Sequence, residues 1–518
     1  MKSKEMKVSE ALDLIKDGDT IAISAVGVVG YPEYVVTSLK ARFIESGSPK
    51  GLTVYAGGGH GGRGEICDTH FALKGFMTRY VCTHPRSNVK IRDMIVNEEL
   101  EAYALPQGVI NQLYRCVAAK QPGLLTKIGI GTYVDPRQDG GKLNGITHED
   151  LVRVMDIDGE EWLYYMARPV TVAIIRGTFA DEYGNVSIER EALKLEMLEV
   201  ALAAKACKGK VIVQVEHLVE NGSIKAKDVV VPGELVDAVV VVENPEVNHK
   251  YSNMPLYNPF LTGEARSPRV TLQPPPEVLS PKDIICRRAV YEFYPDALIN
   301  LGLGAGAGAG EVAMLEGAKV TFTLELGVFG GTPCSQVNFG VTMNPVSFVS
   351  PPAMFDFYHG GGLDITVLGA AEVDKDGNVN TSKFGGQPNG HGGFIDISQS
   401  SKKVVFGVLM TAKGMEAEIS DGKLNIKKDG QIPKFVDQVE QITFNGKVSV
   451  ASGQEAVYIT ERAVFKLGKD GLILTEIAPG VDLEKDVLSQ MGFRPIISED
   501  LKLMDERIFI PGRMGCFD

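Results

Sequence analysis

Thr171-Val-Ala-Ile-Ile-Arg-Gly-Thr-Phe-Ala-Asp181-Glu-Tyr-Gly184-Asn185-Val186 and Asp364-Ile-Thr-Val-Leu-Gly-Ala-Ala-Glu-Val-Asp374-Lys-Asp-Gly377-Asn378-Val379 are two copies of one pattern. In each, an apolar run reads as a buried strand and Asp-x-x-Gly-Asn-Val as the turn that follows it. The copies lie 193 residues apart (181 to 374). The spacing holds without a gap to Lys210-Val211-Ile-Val-Gln-Val215, which falls on Lys403-Val404-Val-Phe-Gly-Val408. Coincidence does not keep register for that long, so the chain is two halves of one plan.

The starts of the halves match more loosely. A helical pattern (Val8, Ala11, Leu12, Ile15) leads into the strand Thr20-Ile-Ala-Ile-Ser24, a loop carrying Gly27, Gly30 and Pro32, and another helix. The second half repeats this order with a helix from Ile284 to Phe293, the strand Ala297-Leu-Ile-Asn-Leu301, a loop from Gly302 to Gly310, and a helix from Glu311. Between them a stretch containing Pro274-Pro275-Pro276 suits an extended linker. The expected organisation is a first half over 1–262, a connector over 263–282 and a second half over 283–518. Strands alternating with helices predict an α/β fold of two similar lobes with largely parallel sheets. Ligands in such sheets bind outside the carboxyl ends of the strands, which places the active site in the cleft between the lobes.

The 518 residues exceed one compact core. The chain is 44% hydrophobic and 23% charged, and its 58 glycines exceed the average share of roughly 7%, which implies tight turns or close approaches to a ligand. A formal charge of −13 offers no basic field for nucleic acid or an anionic membrane. No apolar window is long enough to span a bilayer, and the N-terminus runs straight into an amphipathic helix, so the expected location is the cytoplasm. Seven scattered cysteines without a C-x-x-C pair argue against disulfides and structural zinc. The eight histidines form no metal motif, His391 reads as a local structural residue, and no phosphate-binding G-x-x-x-x-G-K-[ST] is present.

The chemistry centres on Asn300-Leu-Gly302-Leu-Gly304-Ala-Gly306-Ala-Gly308-Ala-Gly310 and on Val320-Thr-Phe-Thr-Leu-Glu325-Leu326. Three readings of Glu325 compete. Alternation along the strand allows a polar residue on a wet face. Gly304-x-Gly306-x-x-Ala309, with an acid 21 residues after Gly304, allows a dinucleotide site whose acid binds ribose, hence a nicotinamide-dependent oxidoreductase. The glycine turn that follows, Gly327-Val-Phe-Gly330-Gly331-Thr-Pro333, places backbone donors beside the carboxylate and favours a nucleophile.

E-x-G-x-x-G-G-x-P after a strand, with N-L-G-x-G upstream, resembles the second half of the family I coenzyme A transferases, particularly the fused acetate/propionate type. Arg287-Arg288-Ala289, Pro106-Gln107-Gly108, the run from Asp356 to Gly362, Gly390-His391-Gly392-Gly393-Phe394 and Gly27-x-x-Gly30-x-Pro32-Glu33 resemble further stretches of that family. The likeness covers nearly the whole chain. Relatives usually have a proline soon after the second glycine of N-L-G-x-G, where this chain continues with Ala-Gly repeats.

The resemblance implies transfer of coenzyme A between short-chain acyl-CoA and free carboxylates, with ping-pong kinetics. Glu325 forms an acyl anhydride and then a glutamyl-CoA thioester, a covalent route that keeps the acyl group from water. Gly392 and Gly393 are the candidate oxyanion donors, with Gly304 and Gly306 second. Gln107 is placed to bind the acyl carboxyl, Gly27 and Gly30 to shape the acyl pocket, and Gly302, Gly304, Gly306 and Gly330 to contact substrate or coenzyme A. No bound metal or permanent cofactor is implied, and relatives form dimers or tetramers. An acyl-CoA hydrolase using the same glutamate is the alternative, and a ligand-sensing module leaves the acid between two glycine turns unexplained.

Overall fold

The computed structural model describes residues 3–62, 64–250, 256–267, 274–334 and 340–518. Residues 268–273 of the expected connector lie outside this set. The first sheet contains seven parallel strands: β1 (Thr20–Ile23), β2 (Leu52–Ala56), β3 (Met77–Cys82), β4 (Glu101–Ala104), β5 (Val172–Asp181), β6 (Lys210–Val219) and β7 (Ala238–Val241). Their order is β7-β6-β5-β1-β2-β3-β4. The second sheet has a parallel centre made of β8 (Leu298–Leu301), β9 (Thr321–Leu324), β10 (Ile365–Gly369), β11 (Lys403–Gly407) and β12 (Glu455–Ile459), in the order β9-β8-β10-β11-β12. Further strands extend it on both sides. β5 and β10 are buried almost throughout, as strands covered on both faces must be, which is why they read as continuous apolar runs.

The repeat seen in the sequence is a repeat of pairing. Lys210 stands opposite Val172 in the first sheet and Lys403 opposite Ile365 in the second, the same register at the same 193-residue spacing. The turns are built alike. Asp181 accepts from the backbone N–H of Tyr183 and of Asn185 and from the Asn185 amide, and Asp374 does the same for Asp376 and Asn378. Each asparagine in turn accepts a backbone N–H, from Gly233 and Gly446 respectively.

Helices α1 (Gln107–Ala118), α2 (Met197–Ala206), α3 (Pro281–Ala289), α4 (Ala305–Glu316) and α5 (Phe394–Ser400) position the site. Two boundaries differ from expectation. α3 starts at Pro281, held by a capping box in which Ser280 and Asp283 exchange hydrogen bonds. The stretch read as a loop to Gly310 is loop only to Gly304, and α4 begins at Ala305. Glycine costs a helix about 1 kcal/mol relative to alanine, but here it permits contact that a side chain forbids. A Cβ on Gly306 would lie 2.4 Å from the Val367 carbonyl oxygen, one on Gly310 2.4 Å from Leu301 Cδ1, and one on Gly308 2.5 Å from Cys286 Sγ.

The two lobes share a core. Leu324, Leu326, Val328, Val341 and Ile395 of the second half pack in one apolar cluster with Val109, Ile110, Leu113 and other residues of the first.

Candidate active site

β9 and the strand Val328–Phe329 form a tight hairpin in which Leu324 pairs with Val328. Glu325 sits in its turn, closed by the Gly327 N–H donating to the Leu324 carbonyl at 3.0 Å. Gly327 has φ +97°, and a Cβ there would meet the Val349 carbonyl oxygen at 2.0 Å, so only glycine fits. Buried Leu324 and Leu326 anchor the turn on either side of the glutamate.

Asn300, on the neighbouring strand β8, donates from Nδ2 to Glu325 Oε2 at 3.1 Å. Its amide also lies within hydrogen-bond distance of the Tyr358 hydroxyl, which pairs with Thr323 Oγ1 at 2.8 Å. Burial raises the Glu325 carboxyl above its ordinary value. Its own backbone N–H and the Asn300 amide oppose the rise, and the charge of Asp396 adds to it. Part of the glutamate's surface nevertheless stays accessible, as a reacting group requires.

The first lobe closes on this carboxylate. Gln107 opens α1, and its N–H donates to the Gly392 carbonyl at 3.4 Å. A Cβ placed on Gly393 would lie 3.4 Å from Glu325 Cγ and 3.4 Å from Gln107 Oε1, so three sequence-predicted residues converge on one spot. Gly108 brings the helix end onto the second lobe. Its N–H donates to Asp396 Oδ2 at 3.1 Å, and a Cβ there would strike the Phe355 ring at 2.6 Å. Asp396 Oδ1 is held by His359 Nε2 at 3.1 Å. A carboxylate at a helix N-terminus meets N–H groups that lack partners within the helix.

The glycine loop facing Glu325 is clamped from the first lobe. The N–H groups of His391 and Gly392 both donate to the Thr83 carbonyl, at 2.9 and 3.2 Å, and the His391 ring bonds the Tyr133 hydroxyl. This corrects the expectation for Gly392, whose N–H is already engaged. The Gly393 N–H has no acceptor among the described residues.

The other glycines divide. The Gly330 N–H donates to the Phe322 carbonyl at 2.8 Å and the Gly302 N–H to the Val367 carbonyl at 2.9 Å, so both serve the sheet. Gly306 lies in the first turn of α4, packed against the Val367 carbonyl, and its N–H has no backbone acceptor among the described residues. Gly304 caps α4 at φ +80° with open space where a side chain would point. Gly27 donates to the Gly58 carbonyl and accepts from the Gly61 N–H, while Gly30 at φ +72° leaves room for Leu195. Both shape the loops at the carboxyl end of the first sheet.

Residues 5–242, somewhat less than half of the chain, match the family model described as coenzyme A transferase. Caffeate CoA-transferase of Acetobacterium woodii is 43% identical over 514 residues, covering 98% of this chain and 97% of that protein. Acetate CoA-transferase YdiF of Escherichia coli strain K12 is 40% identical, covering 98% and 96%. The chain belongs to the coenzyme A transferase family. The structure agrees: acyl-CoA transferase YdiF of Escherichia coli O157:H7 superposes with a TM-score of 0.93 at 39% identity, covering 99% of this chain and 97% of that one, and its thioester complex with CoA gives 0.92. This coenzyme A transferase is therefore an enzyme whose substrate is coenzyme A in thioester form, and membership decides against the dinucleotide reading of Gly304-x-Gly306.

Sequence reasoning missed Asn300 and Asp396 as site residues. Each had a signal, being a lone polar residue in an apolar run, Leu298-Ile-Asn300-Leu301 and Phe394-Ile-Asp396-Ile397. It also missed the polar face of α1, where Gln107 Nε2, Asn111 Oδ1 and the Tyr114 hydroxyl are buried without partners among the described residues. Leaving such an atom unpaired costs about 1–3 kcal/mol, so a cluster calls for an occupant. No helix among the described residues is long and apolar enough to cross a membrane.

Proposed function

We propose that this enzyme exchanges coenzyme A between short-chain acyl-CoA and carboxylate through covalent intermediates on Glu325. The observation that carries the reading is the convergence of Gln107 from one lobe and Gly393 from the other on the Glu325 side chain. A carboxylate oxygen of Glu325 attacks the acyl carbonyl carbon, a tetrahedral oxyanion forms, and its collapse breaks the C–S bond and releases the coenzyme A thiolate. The thiolate then attacks the glutamyl carbonyl of the anhydride, the first carboxylate leaves, and a glutamyl-CoA thioester remains. An acceptor carboxylate runs the two steps in reverse and regenerates Glu325, giving ping-pong kinetics.

The Gly393 N–H, which has no acceptor among the described residues, is a backbone donor at the site, and one such donor to an oxyanion contributes on the order of 3 kcal/mol. The Gln107 amide nitrogen, buried and without a partner among the described residues, is a second. The open N-terminus of α4 at Gly304 faces the carboxyl end of β8, where it suits the polar parts of coenzyme A. Names of the relatives support acetate and related acids as exchange partners. Seven free thiols and the acidic charge fit work in the cytoplasm, the family resemblance supports a homo-oligomer, and we place the boundary between the halves at 263–282.

The test is to incubate the full-length protein with acetyl-CoA and no acceptor, trap with borohydride or hydroxylamine, and map the modified peptide by mass spectrometry. Modification of Glu325 is expected. Substantial transfer by Glu325→Ala would refute the covalent route, and thiol release that outpaces transfer when propionate is added would favour hydrolysis.

A further inference from the structure

Asp396 ties together the two elements that face Glu325. It lies in the first turn of α5, whose N-cap is Gly393, and it is fully buried. Its Oδ2 accepts the N–H of Gly108, the residue after Gln107, at 3.1 Å, and its Oδ1 pairs with His359 Nε2 at 3.1 Å. A Cβ on Gly108 would lie 2.6 Å from Asp396 Oδ1, so the glycine is what lets the carboxylate reach the start of α1. One side chain thereby fixes the start of α1, which carries the Gln107 amide, against the start of α5, which carries the Gly393 N–H.

His359 is built to hold that carboxylate. It follows the helix Pro351–Phe357, its side chain is 14% exposed, and its ring packs against Phe355 with centroids 5.9 Å apart. Behind the ring, Gln112 Nε2 donates to Asp356 Oδ1 at 2.7 Å and lies 3.4 Å from His359 Nδ1, and Arg115 pairs with the same Asp356 carboxylate. With its proton on Nε2 the ring donates to Asp396 and accepts from Gln112. A second proton on Nδ1 would face the amide N–H, and turning the amide would set its oxygen against Asp356. The network from Arg115 to Asp396 therefore selects one tautomer of His359.

We propose that His359 and Asp396 are positioning residues for coenzyme A transfer, a pair that locks α1 to α5 and so sets the Gln107 amide and the Gly393 N–H at their places beside Glu325. The inference rests on Glu325 as the residue that takes up the acyl group. Neither residue of the pair touches the reacting atoms; both act through the two helix starts.

The experiment measures kcat, KM and pH profiles for transfer from acetyl-CoA to propionate by the full-length enzyme. Asp396→Asn keeps the shape but cannot accept from Gly108 and His359 at once. A misplacement of about 1 Å costs about 100-fold in rate, so kcat of Asp396→Asn and of His359→Leu is expected to fall about 10- to 100-fold with KM changed by less than about threefold. His359→Gln, whose amide N–H replaces Nε2–H, is expected to stay within about threefold of wild type. The pH profile separates positioning from lost packing. Asn300, Gln107 and Gly393 face Glu325, Tyr358 lies behind Asn300, and Asp396 supplies the charge that opposes ionisation of the glutamate. Asp396→Asn removes that charge, so the Glu325 pKa falls and the ascending limb of kcat/KM moves to lower pH. A limb that stays in place, or kcat unchanged in both Asp396→Asn and His359→Leu, overturns the proposal. Absence of a trapped Glu325 adduct in the wild-type enzyme would strike the covalent reading and this inference with it, whereas an adduct together with unchanged kcat in both variants strikes the positioning role alone.

Discussion

Gly57 occupies in the first sheet the position that Glu325 occupies in the second. Val172 and Ile365 are equivalent in the repeat, Ile21 and Ile299 pair with them, and Val54 and Phe322 pair with those in turn. Three residues further along each strand stand Gly57 and Glu325. The carboxyl ends of equivalent strands therefore carry Glu325 in one lobe and, in the other, a glycine packed so closely that a Cβ would lie 3.0 Å from Asn111 Oδ1 and 3.5 Å from the Tyr114 hydroxyl.

Asn300→Leu removes the side-chain donor to Glu325. A hydrogen bond to a charged group contributes about 1.5–3 kcal/mol, so kcat is expected to fall about 10- to 100-fold. The amide favours the ionised carboxylate, and its loss raises the Glu325 pKa. The ascending limb of the kcat/KM profile then moves to higher pH. A limb that stays in place would show that the amide does not act on the glutamate.

Gly393→Ala and Gly392→Ala separate chemistry from folding. Gly393 has φ −84°, so alanine is tolerated, and its Cβ fills the space beside the carboxylate, touching Glu325 Cγ and Gln107 Oε1 at 3.4 Å. Activity should fall about tenfold or more with little change in denaturant midpoint. Gly392 has φ +60°, where a side chain costs about 1–2 kcal/mol, so its variant should lose stability in the same titration.

Acid should loosen the contact between the lobes. Burial lowers His84 to about 4, helped by Arg86 and His60, and lowers His391 to about 3, helped by His84. Both lie below the usual value of about 6.5, so the unfolded chain binds these protons first. Their contribution to stability is complete above about pH 6.5 and is lost as pH falls towards 4. For His391 alone the loss at pH 5 is about 2 kcal/mol. Tm measured from pH 7 to 4.5 should fall, and His391→Gln should flatten the slope.

Gly306→Ala sets two effects against each other. Helix propensity favours alanine by about 1 kcal/mol. The new Cβ, 2.4 Å from the Val367 carbonyl oxygen, forces α4 off β10 at about 1–3 kcal/mol. Net destabilisation in urea is expected, and a gain in stability would mean that the helix is free to shift.

The repeat, the α/β class and the glycine turn after Glu325 were legible because their signals are local. Asp181 and Asp374 each bind a turn within four residues, and the glycines after Glu325 follow it directly in the chain. The start of α4 was not legible, since Gly306, Gly308 and Gly310 argue against a helix until Val367, Cys286 and Leu301 are seen pressed against them. Asn300 reaches Glu325 across adjacent strands, and Asp396 meets Gly108 from 288 residues away. No local pattern encodes such meetings.

The amino-acid sequence by itself determined two similar lobes and an acid between glycine turns, because apolar period and turn chemistry are properties of neighbouring residues. Tertiary structure alone decided that Leu324 and Leu326 pack in a core shared with the first lobe. It also decided that Gln107 and Gly393 converge on Glu325 and that the Gly392 N–H is spent on Thr83. Those outcomes depend on how two distant surfaces fit, and burial and hydrogen-bond partners exist only once they have met.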